Sequence, residues 1–185
     1  MKTALLFLGV CLVAVSSLPA VEPSTSAQRE RFLQIAHSLE KDAFSDEART
    51  QRAWAMTFIE NAPDIRVEIN LDAMAELTRA AIPNRPALEN QFILGFAAFQ
   101  MEHPENGTGQ VAAAYVAAFA SCLKVYHQAV ALNPTNQMVL FDALVQKDRN
   151  GTLQDYVVNL LASLTPRPAP AAPVTPTPAA ESTAP

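Results

Sequence analysis

The chain has 185 residues, with 13 Lys and Arg against 18 Asp and Glu and a formal charge of −5. No window concentrates the cations, which excludes the basic surface that nucleic acid or an anionic bilayer would need in a partner. Half of the residues are hydrophobic and only 5 are Gly, so the chain can bury a core and lacks the turn formers of a sheet-rich fold.

Lys2 precedes an apolar run over residues 4–15, and Ser16, Ser17, Leu18, Pro19 and Ala20 follow. A positive start, an apolar stretch shorter than the ~20 residues of a membrane span, and small residues behind it describe a secretory signal peptide over residues 1–20. Cleavage is expected after Ser17 or Ala20. A lipoprotein reading at Cys11 fails on Val10, which is too bulky to precede a modified Cys. The expected location is periplasmic or extracellular, with no membrane span once the leader is gone. Cys122 is then the lone thiol, unable to form a disulfide within the chain and expected as a small buried hydrophobe.

Ser24, Thr25 or Ser26 supplies a helix cap, and Phe32, Ile35, Ala36, Leu39 and Ala43 recur at helical spacing. Ser45 restarts a helix with Asp46 and Glu47 at its positive end. Its apolar face is Ala48, Trp54, Ala55, Phe58 and Ile59, and Asn61-Ala62-Pro63 stops it. From residue 65 to 71 the period changes to two: Ile65, Val67, Ile69 and Leu71 alternate with Arg66, Glu68 and Asn70. With no partner run elsewhere, this segment is expected to lie extended across the helices or to form an edge that another chain completes. A short helix through Met74, Leu77 and Ala81 ends at Ile82-Pro83.

Pro86 suits the first turn of the next helix. Residues 87–102 carry Leu88, Phe92, Ile93, Leu94, Phe96, Phe99 and Met101 on nearly every side, the mark of a buried helix. Gly95 within it costs about 1 kcal/mol in helix propensity, which close approach of a neighbour would offset. Residues 110–132 provide that neighbour. Val111, Tyr115, Ala118, Cys122, Val125, Ala129 and Leu132 alternate spacings of four and three, a heptad seam with small residues on it. The two segments are expected to pair as an antiparallel αα-hairpin. Asn133-Pro134 ends the long helix; another starts near Asn136 and runs through Leu140, Phe141, Leu144 and Val145. Asn150-Gly151 turns the chain, and Thr152 to Asp155 offers a capping box for a last helix with Tyr156, Val157, Leu160, Leu161 and Leu164. Residues 166–185 hold 7 Pro and 6 Ala with Arg167 and Glu181 as the charges. Such a tail buries too little to offset its ordering entropy, so disorder with polyproline-like conformers is expected.

The motifs that point to chemistry fail on their own requirements. Tyr126, Ala129 and Ala131-Leu132-Asn133-Pro134 are similar to the close of a tetratricopeptide repeat, yet no second copy follows at its ~34-residue period, so Asn133-Pro134 reads as a helix stop. Asp148, Asn150, Gly151 and Leu153 resemble the middle of an EF-hand loop. Alignment on Gly151 puts Gln146 and Val157 where carboxylate ligands belong, which removes the oxygens calcium needs. His37, His103 and His127 lack zinc-ligand spacing, and Gly107-Thr108-Gly109 lacks the Lys of a phosphate loop. Asn106 and Asn150 head Asn-Gly-Thr triplets that become glycan acceptors only if the host exports through an ER.

The reading is an all-α, single-domain multi-helix bundle of about six or seven helices over residues 21–165, between the leader and a tail at 166–185. No catalytic, cofactor-binding or metal residue is assigned. Three functions remain as expectations: an exported module that contacts another protein; a carrier whose cavity is lined by Phe92, Phe96, Phe99, Phe119 and Phe141; or an enzyme or weak metal site at Glu102, His103 and Glu105.

Overall fold

The computed structural model describes residues 22–67, 69–70, 72–74, 84–105 and 111–164. The expected leader, the tail and most of the short helix expected near Met74 lie outside these. Six α-helices are described over their full length: α1 (Ser26–Leu39), α2 (Asp46–Asn61), α3 (Arg85–Glu102), α4 (Val111–Leu132), α5 (Val139–Arg149) and α6 (Leu153–Leu164). The 3-10 turn Pro134–Asn136 joins α4 to α5. The described residues contain no strand.

Local chemistry sets the ends. Thr25 caps α1 in a reciprocal box with Gln28, and the Ser45 hydroxyl accepts from the Ala48 amide at the start of α2. Each satisfies an amide that the first turn leaves without a helical partner. Asn84 enters α3 with a φ of 64°, and Pro86 follows inside the first turn.

The interface between α3 and α4 is the most extensive in the described molecule, and it is antiparallel. Cys122 Sγ lies 3.4 Å from the Leu88 carbonyl, Phe92 meets Phe119, and Phe96 meets Tyr115. At the crossing stands Gly95. A Cβ there would lie 2.6 Å from Ser121 Cβ and 3.2 Å from Ala118 Cα, so the helices meet at a distance only Gly permits. The heptad seam is buried from Tyr115 to Ala129, but its ends, Val111 and Leu132, are exposed, because α3 does not run past them.

Two core clusters flank α3. The larger joins α3, α4, α5 and α6; the smaller joins α1, α2 and α3 through Phe32, Leu39, Ala55, Leu94 and Ala97. The described part of the alternating segment is an extended strap rather than a ladder edge. Val67 packs on both clusters, Ile69 on the larger, and the Asn70 amide donates to the Tyr115 hydroxyl.

One boundary differs from expectation. The fifth helix starts at Val139, not near Asn136. The Asn136 side chain turns inward and donates to the Ala129 carbonyl at 2.7 Å. The Tyr126 hydroxyl accepts from the Met138 amide at 2.9 Å and donates to Asp142. These bonds anchor the turn against α4 before α5 begins. No helix among the described residues is long and apolar enough to cross a membrane.

Candidate functional site

The densest polar constellation lies where α1 crosses the α3–α4 pair. The last carbonyls of a helix have no partner within it, and those of α1 are met from two other helices. Gln128 Nε2 on α4 donates to the Glu40 carbonyl at 2.9 Å, while Gln91 Nε2 on α3 reaches the Ala36 carbonyl at 3.2 Å. Gln91 also donates to Ser121 Oγ at 2.8 Å, and Ser121 donates onward to Glu40 Oε1 at 2.7 Å. Lys124 Nζ meets Glu40 Oε2 at 2.6 Å. Gln91 is fully buried, and among the described residues its Oε1 has no hydrogen-bond partner.

His37 extends this chain of contacts to the surface. Its Nε2 lies 2.8 Å from Glu102 Oε1, and its Nδ1 lies 3.5 Å from Glu40 Oε2. The hydrogen bond to Glu102 raises the imidazole pKa against an opposing effect of burial. Burial pushes the Glu40 carboxyl up, but the hydrogen bonds from Lys124 and Ser121 outweigh it and leave its pKa lowered. The arrangement therefore favours imidazolium between two carboxylates.

That state is suited to holding helices together and poorly suited to base catalysis, since a general base must offer a free lone pair. His37, Ser38, Glu30 and Lys41 border a depression of about 570 Å³ on the outer side of α1. The Ser38 hydroxyl is directed at the Ile35 carbonyl and Gln51 Oε1, not at His37. No activated nucleophile results.

The expected cluster at Glu102, His103 and Glu105 comes apart. Glu102 turns to His37, while His103 and Glu105 stand 3.6 Å apart on the exposed surface, with the Phe99 ring 4.5 Å from that of His103. Among the described residues no group of three or more His, Cys, Asp or Glu could hold a metal ion. Cys122 is buried, and burial pushes its thiol far above the ordinary range, so it supplies no thiolate. Four of the five rings expected to line a carrier cavity are closed off from solvent. Phe92, Phe96, Phe119 and Phe141 are at most 1% exposed, with Phe92 edge-on to Phe119 at 4.9 Å and Phe141 against Tyr126 at 4.9 Å. These rings pack on one another and on Tyr115 and Tyr126. Phe99 is half-buried at the margin.

No family model, curated protein or solved structure matches the chain.

A second feature was not anticipated. The expected apolar face of α2 buries Ala48 and Ala55 but leaves Trp54, Phe58 and Ile59 half-buried. Trp54 and Phe58, four residues apart, stack at 5.3 Å with planes 5° apart, and the Arg31 guanidinium lies 4.1 Å from the indole centroid. With Glu22, Gln28 and Asn61 these rings line a groove of about 250 Å³ at the start of α1. Asp64 closes the nearby loop by accepting from the Ser24 amide and hydroxyl and pairing with Arg29, contacts that lower its pKa. The i,i+4 spacing of two aromatics was the available signal for this surface. Nothing local signalled the pairing of His37 with Glu102, 65 positions away.

Proposed function

We propose that the chain is an exported helical module, periplasmic or extracellular, that works by contact with another protein. The observation carrying this reading is a pair of large apolar side chains held out in water at one end of the bundle. Leu132, the last residue of α4, is 67% exposed, and Val139, the first of α5, is 90% exposed. The turn between them is anchored by Asn136 and Tyr126, so these side chains stand on rigid backbone. Isolated apolar residues on a surface are ordinary. Two on a fixed turn give a partner a defined anchor. The signal peptide expected from residues 1–20 supplies the export.

A photoreactive residue at position 139 tests this in the exporting host, with a control at Glu30 on the outer side of α1. The reading expects one discrete adduct from position 139 that is absent at position 30. Equal labelling from the two positions, or none from position 139, would sink it.

A further inference from the structure

The groove beside Trp54 has a chemical character that the proposed contact at Leu132 and Val139 does not use. Its walls combine ring edges from Trp54 and Phe58 with amide-bearing side chains and a single charged residue, Glu22. Among the described residues Trp54 Nε1–H makes no hydrogen bond. Gln28 accepts through Oε1 in the α1 cap and leaves its Nε2 donors unspent. Arg29 at the rim is engaged by Asp64 and Ser24, so it adds no free cation. The site thus offers the free edges of two rings, spare N–H donors and one carboxylate, with the Arg31 guanidinium covering one face of the indole. A polyproline II segment has the complementary set, with projecting pyrrolidine rings and carbonyls that have no internal partner.

The sequence contains a segment whose composition suits that conformation. Pro170, Pro173 and Pro176 recur every third residue, and Arg167 precedes them at the same interval. Polyproline II has 3 residues per turn, so in that conformation all four side chains fall on one face. Arg167 is also the tail's sole cation, a match for Glu22. We infer that the groove of one copy binds residues 167–176 of a second copy, with the prolines on Trp54 and Phe58 and Arg167 beside Glu22.

The tail departs from the cluster on the other side of α3 from the groove. Between Leu164, the last residue of α6, and Arg167 an extended backbone spans about 10 Å. α6 packs into the larger core cluster, whereas the groove borders the smaller one beyond α3. A tail from one molecule in the groove of the next is a head-to-tail contact, which builds chains or closed rings as concentration rises.

Trp54 is the protein's one Trp, so its fluorescence reports on the groove directly. The exported chain, with either leader cleavage point, is followed by sedimentation velocity and by acrylamide quenching of Trp54 up to about 1 mM. The average mass should rise with concentration while quenching falls in step. Replacing Pro170, Pro173 and Pro176 together by Ala should abolish both trends. Arg167→Glu and Glu22→Lys should each weaken association by about fivefold, the scale of an exposed charge pair, and their combination should restore it. Far-UV circular dichroism confirms that the variants remain folded. A monomer at every concentration overturns the inference. So does association that ignores the proline and charge variants, or shielding of Trp54 that does not depend on concentration.

Discussion

Replacing Gly95 by Ala sets two effects of opposite sign against each other, and the structure decides between them. In an exposed helix interior the change would stabilise by about 1 kcal/mol, because Gly has the greater backbone freedom to lose. Here the new methyl would stand 2.6 Å from Ser121 Cβ, 3.0 Å from Ser121 Oγ and 3.2 Å from Ala118 Cα. Two of those atoms belong to the α4 backbone or sit one bond from it, so no rotamer change relieves the contact. The helices must separate by roughly 1 Å, enough to forfeit a sizeable share of the dispersion contact along their seam. Overpacking of this kind costs about 1–3 kcal/mol, and movement of Ser121 also stretches its bonds to Gln91 and Glu40. We expect Gly95→Ala to be less stable by about 1–2 kcal/mol after the propensity gain. For a domain of this size that lowers Tm by about 3–6 °C. Urea titration followed by circular dichroism measures it, and an unchanged slope would place the effect in the native state. Ser121→Gly breaks the bonds to Gln91 and Glu40 in either background, but it should cost less beside Gly95→Ala than in the parent, because there it also removes the opposing Cβ. Equal or greater stability of Gly95→Ala would refute the close crossing on which the α3–α4 pair is built.

Three further outcomes are expected. His37 holds its proton more tightly when folded, so its contribution is complete below the ordinary value of 6.5 and fades as pH rises through the raised folded value. With its side chain 47% exposed, screening keeps the effect below about 1 kcal/mol; His37→Gln should flatten stability against pH in that window, and an unaltered profile would contradict the pairing. Cys122 should resist a thiol reagent in the native protein and react once denaturant unfolds it, whereas rapid native labelling would show it is not buried. Gln91→Met should cost about 1–2 kcal/mol, since it removes the unpartnered Oε1 but takes the Nε2 donor from the Ala36 carbonyl and Ser121. Gln91→Ala, which leaves a void, should cost roughly 3 kcal/mol in the same denaturant assay.

The features legible in the sequence were those fixed by neighbours along the chain. Ser45 with Asp46 and Glu47 marked the start of α2, the three-four spacing marked the seam of α4, and Gly95 among large apolar residues marked a close approach. Each depends on contacts within a turn or two, or on a helix face long enough to average out error. The polar junction at Glu40 was hidden because it depends on how α1 crosses two other helices. Gln91, Ser121 and Gln128 look like ordinary polar interruptions until that crossing brings them to the end of α1. Asn136 misled for a related reason: its pattern fits a helix, but its side chain makes a better bond to the Ala129 carbonyl than a surface position would give.

The apolar stripe of α2 shows where such reading stops. Periodicity records which side of a helix repels water, but not whether a second element exists to cover it. For α3 and the middle of α4 neighbours close over the apolar face, and Phe92, Phe96 and Phe119 disappear from solvent. For α2 the neighbours cover Ala48 and Ala55 and stop short of Trp54 and Phe58. An aromatic pair left half-open carries an unspent share of burial energy, and an extended segment can collect it without disturbing the core. That is why the groove, rather than the buried rings or the paired His37, is the place where a change of solution concentration should be felt.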